Sequence, residues 1–525
     1  MPPPARPLAL LLILGLGVFF RFSHLGEKLL WHDEIATRVF AAGYTTDDWK
    51  GVVYGGEVVT VAQVGHFQIH NAEKSVVGAI GGLARHDPQH PPLYYALTRL
   101  WVGLCGDSVG TLRALSALLS LLYLPAIAWL CLEFSGSARV AWMGVALAAV
   151  SPFFVLYAQE AREYALWSVL IACATASLLR AIRLTEARAP AALGGWAVYA
   201  TSIVLALYTS FSSAAFILAH IAYIVIRERG RLTRVSVQSA SALAVSALLF
   251  SPWAYNLVHH LDSFFATMKW SRDIVIPRPE LLWIFGSNLT RVFVDLTAEP
   301  LGIVVALALI LVAVAIRHVA RAPSASGRHP GLLLLLMIAA PITMLLVPDL
   351  LSGGIRSVSS RYLTPSWVGI QVALAWMLGA HLSSGATRAV ATVLLAAGVV
   401  SGALNTRRDA VWTKGISANL PAVAALVNRS EAPLVVGNEE RFNPGNLFAL
   451  VHLLIPSASV QGLKIHAEAG YVLPPHEGDI YLFSPTAPFR ERLEEREHVH
   501  TQLLFEDIHM QLWKVEREPD ITHPG

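Results

Sequence analysis

The sequence predicts a polytopic α-helical membrane protein with a small soluble α/β domain at its carboxy end. Three observations carry this. Of 525 residues, 55% are hydrophobic and only 14% charged, against about 25% charge in a soluble globular chain. Long apolar runs recur from the amino terminus to residue 404. After that point the composition turns polar, with clusters such as Glu439-Glu440-Arg441 and Arg490-Glu491-Arg492. The mean hydropathy of +0.54 excludes an ordinary cytosolic enzyme and a disordered chain. A net charge of +3 gives no case for nucleic-acid binding. Three cysteines, Cys105, Cys131 and Cys173, lie in or beside apolar segments and read as packing residues.

The first run, Leu8 to Phe20, follows Arg6 and leads into Arg21-Phe22-Ser23-His24. No small-residue cleavage site follows it, so it reads as a signal-anchor. Further runs lie at 109–132, 138–157, 160–180, 190–207, 209–226, 234–257, 300–316, 331–348, 363–381 and 387–404. Together these make about 11 spans by length. Arg-rich connections occur at Arg139, at Arg180/Arg183/Arg188, at Arg227/Arg229/Arg231/Arg234, at Arg317/Arg321/Arg328 and at Arg388. With the amino terminus inside, all fall on the cytoplasmic side. The loops 23–108, 258–299 and 349–362 and the tail then fall outside. The apolar stretch Pro91–Cys105 would break this parity if it crossed. It is short and carries Tyr94, Tyr95 and Trp101, so it reads as interfacial or re-entrant.

The tail, 405–525, contains strand-like runs at 433–437, 479–483 and 510–515 and a helix-like stretch at 418–427. It reads as a small α/β domain on the outer face. No nucleotide fingerprint and no 20–50-residue repeat occur.

The expected outer segments carry the polar chemistry. The first opens with Trp31-His32-Asp33-Glu34-Ile35-Ala36-Thr37-Arg38. The bland reading is a helix capped by Asp33 with a solvated acid behind it; the functional one is a pair of acids at a membrane site. The second is a tight turn, Tyr157-Ala158-Gln159-Glu160-Ala161-Arg162-Glu163-Tyr164. Polar residues at a span boundary serve as anchors in some proteins, but ionisable groups at this depth point to function. A third cluster, Arg356 to Pro365, holds Arg361-Tyr362. An Arg fork suits a phosphate and equally a snorkelling anchor. His66 with His70, and His86 with His90, have i, i+4 spacing, yet zinc needs more ligands, and Pro88, Pro91 and Pro92 disfavour a helix at the second pair. No metal site is expected from spacing.

Outside the cytoplasmic membrane no nucleotide donor is available. A synthetic reaction there needs an activated donor supplied by the membrane, such as a polyprenyl-phosphate or polyprenyl-diphosphate sugar. It needs a base for the acceptor hydroxyl, cations for the departing phosphate and a groove for the lipid tail.

Four elements, in order, resemble the GT-C superfamily of membrane glycosyltransferases. They are Asp33-Glu34 after the first span, His90-Pro91-Pro92-Leu93-Tyr94-Tyr95, the run from Ser151-Pro152 to Tyr157-Ala158-Gln159-Glu160-Ala161-Arg162, and Arg361-Tyr362-Leu363. Within it the chain looks most like the family-39-like enzymes: protein O-mannosyltransferases, the lipid A aminoarabinose transferase and the rhizobial galacturonosyltransferase-like group. The resemblance covers roughly residues 23–380 and is most specific in the Tyr157–Arg162 run. It implies a GT-C fold with a transmembrane catalytic domain over 1–404, first outer loop 23–108, and a seven-span module ending near 257. It implies Asp33 as catalytic base with Glu34 as its partner. Arg162 would contact the donor phosphate, and Arg361 and Tyr362 would close the site near it. Glu160, Tyr157 and His90 would shape it. Many relatives have a His near Tyr208-Thr209, where this chain has Ser210-Phe211-Ser212; that departure weakens any acceptor or metal role there.

The expected function is inverting transfer of a hexosyl or pentosyl group from a polyprenyl-phosphate sugar to a glycan, lipid or protein hydroxyl. It would take place on the outer face of a bacterial inner membrane, among membrane lipids and without nucleic acid. No cofactor is required by the residues, and the resemblance leaves a divalent metal open. Two alternatives stand. An oligosaccharide ligase would use a diphosphate donor. A lipid or glycan transporter would want broken polar helices at the midplane, which the nearly charge-free spans do not provide.

Overall fold

The computed structural model describes residues 5–297, 299–321 and 329–517, with side chains from residue 8. The Arg6 side chain, Arg328 and the end of the tail lie outside the described residues. Two compact units form. One comprises Met1–Gly26, Leu83–Leu97 and Gly110–Arg408; the other Glu27–Gly82, Thr98–Val109 and Asp409–Gly525.

The first unit is helical, and the chain is a multi-pass membrane protein. Among the described residues, seven helices are long and apolar enough to cross a membrane: Val109–Ser135, Tyr164–Glu186, Arg234–His259, Gly302–Ala320, Pro330–Ser352, Ser360–Ala380 and Gly385–Asn405. An eighth is counted if Ala138–Val150 and Pro152–Ala158, bent by 58°, form one span. Leu8–Phe22, Ala192–Leu207 and Ser213–Arg227 are apolar but shorter. The sequence count of about 11 takes these three as spans too. Tyr164–Glu186 and Ser360–Ala380 are the most buried spans. An apolar surface all round a helix suits such central positions.

The bend has an identifiable cause. Pro152 has no N–H to return to the carbonyl four residues back. Fully buried Arg21 supplies the missing donors, with Nη2 to Ala148 O at 3.0 Å and Nη1 to Ala149 O at 2.6 Å. Ser151 Oγ donates to Val292 O at 2.5 Å, and Phe153 N to Arg291 O at 3.1 Å. The run 138–157, one span by apolar length, is thus a helix, a break and a short second helix. The break aims the 159–163 turn.

Leu93–Cys105 is a 13-residue helix, about 20 Å long at 1.5 Å per residue, and falls short of a hydrocarbon core of about 30 Å. It is not among the candidate spans.

The second unit is built on a six-stranded sheet. Its strands are β1 (Val58–Thr60), β2 (Leu434–Asn438), β3 (Ser459–Leu463), β4 (Ile480–Phe483), β5 (Val499–Glu506) and β6 (Gln511–Arg517), in the order β1-β3-β2-β4-β6-β5. β2 runs parallel to β3 and β4, and the other pairs are antiparallel. β2 is buried along its whole length, which fits a central parallel strand covered on both faces. Val435, Val460, Tyr481, Phe483 and Leu512 face one core; Leu434, Val436, Ile480, Leu482 and Val515 face the other. The first core also takes in Leu29, Leu30, Ile35, Val39, Val53 and Tyr54. The segment that follows the first helix and the tail therefore share one hydrophobic core, and that segment contributes strand β1. The compact unit is larger than the 405–525 segment marked out by composition.

Candidate active site

The acidic helix, His32–Ala42, belongs to the second unit. Its cap is Trp31, in extended conformation and without a side-chain cap bond. Asp33 is therefore the second residue of the helix and not its cap, because the helix begins one residue before the acids. The carboxylate still sits in the first turn, where the helix dipole favours negative charge. At the other end Gly43 adopts φ 98°, a left-handed conformation that glycine takes without steric cost. Arg99 Nη1 donates to Ala41 O at 2.8 Å, satisfying one of the last carbonyls.

The two acids diverge, as successive helical residues do. Glu34 is fully buried, with Lys414 Nζ 3.1 Å from its Oε2. Lys414, itself buried, also donates to Leu29 O at 2.7 Å. Asp33 keeps a side-chain exposure of 13% and lies 3.1 Å from His32 Nε2. Of the two acids expected in catalysis, Asp33 alone reaches solvent in this unit, and Glu34 is committed to an internal ion pair.

The 159–163 turn and the Arg361 cluster belong to the first unit. Gln159, Glu160, Arg162 and Glu163 are all buried. Gln159 Nε2 donates to Phe20 O and Ser23 O at 2.5 and 2.9 Å, which fixes the turn to the end of the first helix. Arg162 Nε lies 3.3 Å from Glu163 Oε2. Its Nη2 lies 3.0 Å from His90 Nε2, and His90 Nδ1 lies 2.8 Å from Asp87 Oδ2. A guanidinium only donates. His90 Nε2 must therefore accept, and the imidazole proton sits on Nδ1, donated to Asp87. In that tautomer His90 is an acceptor that aims Arg162.

Arg361 and Tyr362 lie in the short helix Ser360–Leu363. The Arg361 guanidinium stands 5.8 Å from the Tyr164 ring and 5.4 Å from that of Tyr362; Arg162 stands 6.0 Å from Tyr164. Two guanidiniums thus share one buried aromatic ring. Tyr157 packs edge-on at 5.2 Å from Tyr164 and 4.7 Å from Phe153, which wedges the ring in place. The loop ahead of Arg361 is pinned by buried Asp349. Its Oδ1 accepts from Arg356 Nη1 at 2.7 Å, and its Oδ2 accepts from Ser357 N and Oγ at 2.7 and 2.8 Å. Trp367 Nε1 donates to Ser360 O at 2.9 Å.

The structure thus brings Glu160, Arg162, His90, Tyr157, Arg361 and Tyr362 to the ends of the two most buried spans. The i, i+4 histidine pairs do not share a helix face. His66 closes the helix Val61–His66 and meets Tyr44 OH at 2.8 Å, while His70 lies beyond it, against Arg99. His86 closes Val76–His86 and His90 lies past it. Among the described residues no group of three or more His, Cys, Asp or Glu is placed to hold a metal ion.

Four residues escaped the sequence reading: Asp87, Asp349, Lys414 and Arg113. Arg113 is fully buried and donates to Leu25 O at 2.8 Å. An arginine inside the apolar run 109–132 was the available signal. Lys414 had none, since its partner lies far away in sequence.

Residues 89–255 match a profile of the family described as dolichyl-phosphate-mannose-protein mannosyltransferase. A comparison with curated protein sequences gives no match. Among solved structures, the chain is similar to ArnT from Cupriavidus metallidurans in the apo state. The TM-score is 0.54 at 15% identity, covering 97% of this chain and 98% of that one. It is also similar to the same protein bound to undecaprenyl phosphate, with a TM-score of 0.53 at 14% identity and the same coverage. The chain shares the fold of these ArnT structures, and its residues 89–255 are similar to the mannosyltransferase profile.

Proposed function

We propose that this chain is an inverting glycosyltransferase that moves a sugar from a polyprenyl-phosphate donor to a hydroxyl acceptor of the cell envelope, on the outer face of the cytoplasmic membrane. The observation that carries the reading is the pair of guanidiniums, Arg162 and Arg361, set against one buried tyrosine at the ends of the two most buried spans. Fixed planar cations without a nucleotide fingerprint suit a lipid phosphate. The undecaprenyl phosphate bound to the ArnT neighbour supports the same donor class.

In this mechanism Asp33 takes the proton of the acceptor hydroxyl as its oxygen bonds to the anomeric carbon. The bond from that carbon to the phosphate oxygen breaks, and its electron pair leaves with the polyprenyl phosphate. Arg162, aimed by His90, and Arg361 offset the charge that develops there. Tyr362 flanks Arg361, Tyr157 packs on the Tyr164 ring that both guanidiniums share, and Glu160 shapes the turn that carries Arg162. A double displacement would also need a nucleophilic carboxylate on the opposite sugar face. Glu34, buried against Lys414, does not offer one.

Cells lacking the protein are expected to accumulate a polyprenyl-monophosphate carrying one sugar, detected by mass in the lipid extract. Accumulation of a polyprenyl-diphosphate glycan would replace this reading with an oligosaccharide ligase. The outer-face placement rests on the Arg bias of alternate connections. A reporter fused after Arg517 is expected to be active only outside the cytoplasm; cytoplasmic activity would reverse the topology and remove the reason for a lipid donor.

A further inference from the structure

The amino end of the acidic helix is held by chain lying beyond residue 409, all within the second unit. Lys414 ties two points, Leu29 O before the helix and Glu34 inside its first turn. Ser417 Oγ accepts from the His32 N–H at 3.2 Å and donates to Asn446 Oδ1 at 2.7 Å. Asn446 Nδ2 returns a bond to Ile416 O at 3.1 Å, so the hydroxyl is fixed by its own loop. The helix Asn443–Leu450 then abuts His32 directly. A Cβ at Gly445 would lie 2.7 Å from His32 Cβ and 3.1 Å from His32 Cα, so only glycine permits this approach. The Phe442 ring packs 5.2 Å from the His32 ring.

We propose that Lys414, Ser417 and Gly445 are positioning residues for Asp33, so that the tail sets the place of the general base. The proposal rests on Asp33 being that base. Asp33 follows His32 and precedes Glu34, and both neighbours are anchored to the tail, so the tail fixes the backbone on either side of Asp33. A buried ion pair adds little net stability over an apolar pair of the same volume. Its value at Glu34–Lys414 lies in fixing the register of the first turn. The soluble sheet is then part of the catalytic apparatus and not an appendage, which accounts for its sharing a core with the outer loop.

The experiment uses the full-length purified protein, with the lipid-linked sugar isolated from cells lacking it as donor. Gly445→Ala changes no charge and is expected to push His32 aside. The kcat should fall about 10- to 100-fold, since a shift of about 1 Å in a reacting group is enough for that. KM for the lipid donor should stay within about twofold of wild type, because donor-phosphate contacts lie on other residues. Lys414→Met should behave alike. Glu34→Gln/Lys414→Met, which leaves no buried charge unpaired, should recover thermal stability and part of kcat. The decisive comparison places Gly445→Ala and Lys414→Met on Asp33→Asn. Residues acting through Asp33 should cost little more once the base is gone.

Full multiplicative losses on a slow Asp33→Asn enzyme would overturn the positioning role and leave the base in place. Unchanged kcat in both single variants would do the same. Full activity of Asp33→Asn alone would remove the base, and this proposal with it.

Discussion

Asp33→Asn is expected to lower turnover by about 10²–10⁴-fold, the usual contribution of a general base. The effect should be on kcat, with donor KM little changed. Asparagine keeps the size of the side chain and an oxygen toward His32 Nε2, now 3.1 Å from Asp33 Oδ1. The first-turn carboxylate contributes at most about 2 kcal/mol through the helix dipole at a partly buried site. The variant should therefore fold, and its loss should be one of chemistry. Full turnover by a folded Asp33→Asn enzyme would take Asp33 out of the mechanism. Glu34→Gln is a different case. That side chain is buried against Lys414, so its loss should show first as lowered thermal stability, because an ammonium is left buried without its partner.

The second large effect is expected at the guanidiniums. Arg162→Lys and Arg361→Lys keep the charge but lose the planar fork. Each should cost on the order of 2–4 kcal/mol of transition-state stabilisation, about 10²–10³-fold in rate. For Arg162 the reason is specific. Its Nη2 is spent on His90 Nε2 and its Nε faces Glu163, and a lysine has one nitrogen for all these duties. For Arg361 the stacking against Tyr164 and Tyr362 depends on a flat cation. Assays of the purified variants decide the point. Near wild-type rates in both would make these residues membrane anchors.

The local parts of this architecture were readable in the sequence. Asp33, the Gln159–Glu163 turn and Arg361 each stand as polar residues beside apolar runs, and that contrast needs no knowledge of distant contacts. Pro152 disfavours a continuous helix, a signal that span counting by apolar length passes over. What was not readable depends on long-range partners. Arg21 meets carbonyls at 148 and 149, and Lys414 meets Glu34 across 380 positions. β1, three residues long, becomes a strand only by pairing with β3. Sequence periodicity reports which face of an element is apolar; it does not report which other face covers it. For the same reason Asp33 stands in the sequence as one candidate cap, whereas helix termini shift by a residue or two with tertiary contacts, here those of His32 with Ser417 and Gly445.

The proposed reaction is a single displacement at the anomeric carbon of a lipid-phosphate sugar, driven by one base and a pair of guanidiniums. The most direct measurement is the anomeric configuration of the product made by the purified wild-type protein from a polyprenyl-phosphate sugar of known configuration, read by the proton coupling at the anomeric centre. Inversion is the predicted result. Retention would require a double displacement through a covalent sugar–protein intermediate or attack on the face the phosphate leaves, and either would contradict the mechanism whichever residue acts as base.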